Sequence, residues 1–272
     1  MTGDDRTLER LEEWTAEEAE TEPLVAFLRE LMEVQSRFRW QGKGWGPTSK
    51  PTLQAKLDRE KRLDQGEPLL EFEDFDLDWD VVEEGLNSTS SVFARHADLF
   101  AQEPIEPVVG PGDVRRLARG WLRGTLDMEM SVYGLAVLTL TLNPFFAGYR
   151  SSLDMEFEQE RWLQGRCPVC GGEPDLAYLD EERGARWLVC SRCDTEWLFQ
   201  RMRCPFCNTT DHTRLSHFAD ESSPYRTDVC EVCGGYLKTI DRRQEEGSAT
   251  AVGLERLLTL DLDAHAQAAG YR

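Results

Sequence analysis

The sequence predicts an α+β chain: an all-helical N-terminal domain, two tandem rubredoxin-like or zinc-ribbon units, and a C-terminal helix. Three observations predict it. Apolar residues recur at helical spacing through the first half of the chain. All eight cysteines fall between Cys167 and Cys233, as four Cys-x-x-Cys pairs. A leucine stripe (Leu254, Leu257, Leu258, Leu262) then follows them at helical spacing. The expected division is 1–164 for the helical domain, 165–198 and 199–247 for the two four-cysteine units, and 248–272 for the last helix.

The helices follow in order. Leu24, Phe27, Leu28, Leu31, Val34 and Phe38 follow Pro23, which suits a first helical turn, and Gly42, Gly44, Gly46 and Pro47 break the chain after them. A second helix is expected around Leu53 and Leu57. Glu71–Asp80 alternates acids with Phe72, Phe75, Leu77 and Trp79, and reads as an acidic loop that tucks aromatics onto the core. Asn87–Ser91 reads as a helix start before Val92 and Phe93, and Pro104–Pro111 as a connector. Asp113 is the expected N-cap of a helix carrying Val114, Leu117, Trp121 and Leu122. Val132–Leu142 is apolar all round, as in a buried helix. Asn143–Pro144 would start another, carrying Phe145, Phe146, Tyr149, Phe157 and Trp162, with Gly165 separating it from the first cysteine pair. Beyond the cysteines, Tyr236–Ile240 reads as a strand and Ser248 as the cap of the last helix.

The cysteine pairs are Cys167/Cys170, Cys190/Cys193, Cys204/Cys207 and Cys230/Cys233. Nineteen residues separate Cys170 from Cys190, and 22 separate Cys207 from Cys230. Two pairs about 15–20 residues apart are the spacing of a four-thiolate metal site. Two residues between cysteines let one tight turn aim both sulfurs at a common point. Gly171–Gly172 and Gly234–Gly235 supply positive φ and exposed amides next to the sulfur, and Pro168 and Pro205 fix φ inside two of the turns. Between the pairs the sequence reads as hairpins: Ala177–Leu179 out and Arg186–Val189 back, then Arg214–Ala219 out, a turn at Glu221–Pro224, and Tyr225–Val229 back. Two metal ions per chain are therefore expected, with Cys167, Cys170, Cys190 and Cys193 on one and Cys204, Cys207, Cys230 and Cys233 on the other. Four thiolates suit iron or zinc alike. The short link from Cys193 to Cys204 favours separate, stacked units, although spacing also allows the first pair to share an ion with the third.

Other uses of these cysteines fare worse. An acidic N-terminus without an apolar core region points to a reducing cytoplasm, where disulfides are rare. Four regularly placed pairs fit metal better than four redox centres. His96, His212, His217 and His265 are not needed as ligands. A net charge of −20, with only small arginine clusters at 115–123, 201–203 and 242–243, argues against nucleic acid and so against a zinc-ribbon transcription module. The longest apolar run, Val132–Leu142, is about half a membrane span, so no membrane association is expected. No phosphate-binding, dinucleotide, metalloprotease or serine-hydrolase motif occurs, and no enzyme is expected.

The words between the cysteines carry a resemblance. The string Cys167-Pro168-Val169-Cys170-Gly171, Trp187-Leu188-Val189-Cys190-Ser191-Arg192-Cys193, Glu196-Trp197 and Arg203-Cys204-Pro205-Phe206-Cys207 resembles the FdhE accessory proteins of formate dehydrogenase. So do Cys230-Glu231-Val232-Cys233-Gly234-Gly235-Tyr236-Leu237-Lys238, Thr259–Asp263 and Gly270-Tyr271; Pro68–Leu70 is a weaker match in the first half. The resemblance implies a non-catalytic maturation factor, helical first and then twice rubredoxin-like. Such a factor binds the catalytic subunit of respiratory formate dehydrogenase in the cytoplasm, with iron associated with its cysteines. Glu196–Trp197, in the link between the units, is the nearest to a partner contact, although Trp197 as hydrophobic filler is the stronger reading. A homodimer is left open, and a stand-alone rubredoxin-like electron carrier is the other rival.

Overall fold

The computed structural model describes residues 22–44, 53–100, 113–126, 130–153, 158–219, 223–244 and 252–272. The Pro104–Pro111 connector, the Ser248 cap, Gly46, Pro47, Phe157 and the start of the Glu221–Pro224 turn lie outside them. The chain forms two compact units, Met1–Lys50 with Leu70–Asp154, and Pro51–Leu69 with Met155–Arg272. Among the described residues no helix is long and apolar enough to cross a membrane.

The first unit is helical: α1 (Glu22–Gly44), α3 (Trp79–Arg95), α4 (Val114–Arg123) and α5 (Val132–Ser151), with α2 (Leu53–Asp64) belonging to the second unit. Leu28, Leu31 and Phe38 of α1 are buried, as are Val82, Leu86, Val92 and Phe93 of α3 and Leu138, Leu142, Phe145 and Phe146 of α5. Phe38 meets Phe145 at 5.1 Å between ring centres. The acidic stretch behaves as expected. Phe72, Phe75 and Leu77 are buried while the intervening acids face solvent, and Tyr149 donates to the Asp74 carbonyl at 2.9 Å.

Two helix boundaries differ from the sequence expectation, and a third holds without its expected cap. Helix α3 starts at Trp79, because the Asp78 carboxylate accepts from the backbone of Asp80 and Val81, and it runs through Asn87–Ser91 without a break. Asp113 takes the expected N-cap position of α4, but its side chain makes no cap hydrogen bond; the carboxylate instead meets Arg116 at 3.1 Å. Helix α5 passes through Pro144 instead of ending there. Proline removes the N–H that would bond the Leu140 carbonyl four residues back, and Gln35 of α1 donates its Nε2 to that carbonyl at 2.9 Å. The lost helix bond is thus replaced from a neighbouring helix.

The second unit contains six strands: β1 (Pro174–Leu179), β2 (Arg186–Cys190), β3 (Glu196–Phe199), β4 (Leu215–Ala219), β5 (Tyr225–Cys230) and β6 (Tyr236–Asp241). Each ribbon contributes three strands, but the two are not merely stacked. They join into one sheet of order β3-β2-β1-β6-β5-β4. The junction is a parallel pairing of β1 with β6, Leu176 opposite Lys238 through Leu179 opposite Asp241; the other pairs are antiparallel. Joining the ribbons satisfies two edges that would otherwise present unpaired backbone groups. Leu176, Tyr178, Val189 and Ile240 form a shared core across the junction. A Cβ on Gly165 would lie 1.8 Å from the Pro205 carbonyl oxygen, so only glycine lets the lead-in to the first ribbon pass this close to the second.

The expected last helix is two: α6 (Val252–Leu258) and α7 (Leu260–Ala268), interrupted at Thr259. Leu258 and Leu262 are half-buried. Polar ties do much of the docking. Tyr225 donates to Glu255 at 2.9 Å, the Lys238 ammonium meets Asp263 at 2.7 Å, and Arg256 forks onto Asp175 at 2.7 Å.

Candidate metal centres

The four Cys-x-x-Cys turns share one backbone design. In each, the amide after the second cysteine donates back to the carbonyl of the first: Gly171 to Cys167, Asp194 to Cys190, Asn208 to Cys204 and Gly234 to Cys230. The first cysteine's amide then donates to the residue beyond: Cys167 to Gly172, Cys190 to Thr195, Cys204 to Thr209 and Cys230 to Gly235. The return requires a left-handed residue after the second cysteine. Gly171 and Gly234 (φ 73° and 72°) occupy that position in two turns, Asp194 and Asn208 (φ 54° and 61°) in the others. Asp and Asn are the side chains that tolerate this region best. Sequence reading singled out the glycines and missed their Asp and Asn equivalents; the common offset from each pair was the available signal.

The turns converge in consecutive pairs. The sulfurs of Cys167, Cys170, Cys190 and Cys193 lie within 4.8 Å of one another, and so do those of Cys204, Cys207, Cys230 and Cys233. The crossed arrangement is not the one adopted. In the first cluster Cys167 and Cys193 are 3.7 Å apart, Cys170 and Cys190 3.5 Å, and Cys170 and Cys193 3.4 Å. In the second, Cys204 and Cys233 are 3.8 Å apart and Cys207 and Cys230 3.7 Å. A tetrahedron of thiolates around an ion at about 2.3 Å has edges of about 3.8 Å. The measured separations fit that figure, so the two clusters could hold two metal ions.

Electrostatics point the same way. Hydrogen bonds among the crowded sulfurs, with burial behind them, push the Cys170 thiol well above its usual range. Burial pushes Cys204 up too. Four thiolates in so small a space need a cation to be deprotonated together, and a bound divalent ion would supply it. Backbone amides help: Val169 donates to Cys167 Sγ at 3.3 Å, Arg192 to Cys190 Sγ at 3.4 Å and Gly235 to Cys233 Sγ at 3.4 Å. Four protein sulfurs would close the coordination shell of a bound ion, leaving no position for a substrate.

The clusters differ in access. All four cysteines of the first are buried, whereas Cys207 and Cys233 of the second are half-buried. Among the described residues both groups are cysteine alone. His212, His217 and His265 are exposed, and His96 contacts Glu30 at 3.0 Å. Trp197 is fully buried and donates to the Gln164 carbonyl at 3.0 Å, while Glu196 accepts from Tyr178 at 2.6 Å. The indole is filler within the ribbon, not a surface contact.

Residues 166–201, which include the whole first cluster, match the family model of the FdhE central domain. Among curated proteins, the chain is similar to an FdhE homolog of Aquifex aeolicus at 27% identity over 218 residues, covering 78% of this chain and 74% of that protein. It is similar at 34% identity over 110 residues to an FdhE homolog of Shewanella oneidensis, and at 33% over 107 residues to protein FdhE of Escherichia coli. Those two matches take in only 36% and 34% of the relatives' lengths. The fold is similar to the crystal structure of the FdhE protein from Pseudomonas aeruginosa, with a TM-score of 0.63 and 21% identity over 100% of this chain and 94% of that one. The cysteine-rich sequence and these relatives make the chain similar to the FdhE proteins.

Proposed function

We propose that this chain is a non-catalytic accessory protein that binds the catalytic subunit of respiratory formate dehydrogenase in the cytoplasm and supports its maturation. Two metal ions, iron or zinc, would be held by Cys167, Cys170, Cys190 and Cys193 and by Cys204, Cys207, Cys230 and Cys233. The observation that carries this reading is the pair of closed four-sulfur clusters inside a sequence similar to FdhE proteins. Bound zinc would only cross-link the thiolates, whereas bound iron would add one-electron exchange. The chain's own contribution is the six-stranded sheet that fixes both clusters in one body and so presents a preformed surface.

The test is co-purification of the tagged chain with the formate dehydrogenase catalytic subunit of its own organism, beside a strain lacking the gene. Recovery of that subunit, and loss of formate dehydrogenase activity in the deletion strain, are expected. Full activity in the deletion strain overturns the proposal.

A further inference from the structure

A cavity of about 260 Å³ opens beside the second cluster, and its wall is unusual for a chain of net charge −20. Arg186, Arg201, Arg203 and Arg226 line it, and Asp228 is the only acidic residue lining it among the described residues. Asp228 is already committed, meeting the Arg226 guanidinium at 2.9 Å. The other three arginines bring positive charge without a carboxylate in the wall to match it.

Arg186, at the start of β2, is only 4% exposed. Its Nη2 donates to the Gln200 and Arg203 carbonyls, which shapes the loop that carries Arg201 and Arg203. Its Nε, like that of Arg203, is buried and has no acceptor. Buried donors of native proteins are nearly always satisfied, and a charged one left unpaired is expensive. Burial pulls the Arg186 guanidinium down to about 10, with Asp228 and Cys204 opposing it, so the side chain keeps its positive charge at neutral pH. The rest of the wall includes Met202 and Phe206. A cavity of this size lies below the usual range for drug-sized ligands. It admits one small acid or one acidic side chain, but no nucleotide.

We infer that this cavity is a carboxylate-binding site, with the guanidinium groups of Arg186, Arg201 and Arg203 in its wall supplying the positive charge that holds the anion. Planar guanidinium forks match carboxylate geometry better than any other protein group. The carboxylate could belong to a free small organic acid or to an acidic side chain of a docked polypeptide. The inference stands on the cavity alone and is independent of the accessory role proposed above.

Arginine Nε–H signals of the ¹⁵N-labelled, metal-replete full chain provide the test. Three probes are titrated: acetate, acetyl-Leu-Glu-Leu-amide and, as the uncharged control, acetyl-Leu-Gln-Leu-amide. Saturable shifts of the Arg186 and Arg203 signals are expected with the first two. Affinity should fall at least tenfold in Arg203→Gln and in Arg201→Gln, and remain unchanged in Arg214→Gln, which lies outside the cavity. Tighter binding of the glutamate peptide than of acetate assigns the site to polypeptide; equal binding assigns it to small acids. The inference is overturned by no saturable shift, by equal shifts with the glutamine peptide, or by undiminished binding in both cavity variants. It is also overturned if the variants fail to bind metal while no carboxylate binds the parent chain, since the arginines would then serve as counter-charges to the thiolates.

Discussion

Arg256 of α6 meets the carboxylate of Asp194 at 2.6 Å, and Asp194 is the left-handed residue that completes the Cys190–Cys193 turn. The same guanidinium reaches Asp175 at 2.7 Å and the Cys190 carbonyl at 2.7 Å. A residue far along the chain therefore fastens the backbone of a metal turn. The two carboxylates beside it hold the Arg256 guanidinium well above its usual range despite its burial.

Removing one partner of a largely buried ion pair leaves the other uncompensated, at a cost of about 3 kcal/mol or more. Arg256→Leu is expected to lose about that much in urea denaturation of the metal-loaded protein. Asp194→Gly loses the ion pair but keeps the left-handed backbone, whereas Asp194→Ala loses both. The alanine variant should be less stable than the glycine variant by about 1 kcal/mol. Equal stabilities would mean that φ at this position costs nothing.

Asp241, at the end of β6, makes a forked pair with Arg243, at 2.7 Å from Nε and 2.5 Å from Nη2. The Arg243 hydrogen bonds hold its carboxyl below the ordinary carboxylate range, with burial opposing them. The folded state therefore binds fewer protons here than the unfolded state, whose carboxyl titrates near 3.9. That contribution is fully present above about pH 5 and is lost as pH falls through the folded pKa. Asp241→Asn should lower stability at neutral pH and flatten the decline between about pH 5 and pH 3. Parallel acid limbs for the two proteins would show that the pair adds nothing to folding.

The eight cysteines and their pairing into two clusters were legible because the spacing of metal turns is a local property. Five of the six strands were legible for the same reason, through short apolar runs between turn residues; β3 was read as the link between the units. The parallel β1–β6 junction was not, since nothing within Leu176–Leu179 or Lys238–Asp241 specifies a partner so distant in sequence. Pro144 misled for a related reason. Proline normally stops a helix because of one orphaned carbonyl, and the group that rescues it, Gln35, belongs to another helix. The arginines around the cavity beside the second cluster were visible only as small basic clusters until the fold brought Arg186 to Arg203.

That rescue makes a prediction of its own. Gln35→Leu leaves the Leu140 carbonyl without a partner in a half-buried part of α5, at an expected cost of about 1 kcal/mol. Pro144→Ala restores an N–H four residues on, so the helix can satisfy the same carbonyl itself. The double variant should therefore recover part of the loss, giving a coupling of about 1 kcal/mol in a double-mutant cycle from chemical denaturation. Additive effects would show that the Gln35 amide and the proline do not compensate each other.

The difference in burial between the clusters predicts different metal lability. A chelator, or a water molecule carrying a proton to a thiolate, must reach a sulfur before the ion can leave. In the first cluster all four sulfurs are enclosed. In the second, Cys207 and Cys233 are half-buried, and Cys204 and Cys230 border the arginine-lined cavity. Metal-loaded protein challenged with excess chelator should release its ions in two phases, one ion per phase, with the fast phase leaving the second cluster. Cys207→Ser should remove the fast phase and leave the slow one, and Cys170→Ser the reverse. Acidification should accelerate release, because protons compete with the metal for thiolate. A single phase releasing both ions, or a fast phase that survives in Cys207→Ser, would refute the assignment. With the assignment upheld, the first cluster maintains the sheet while the second is the one open to exchange.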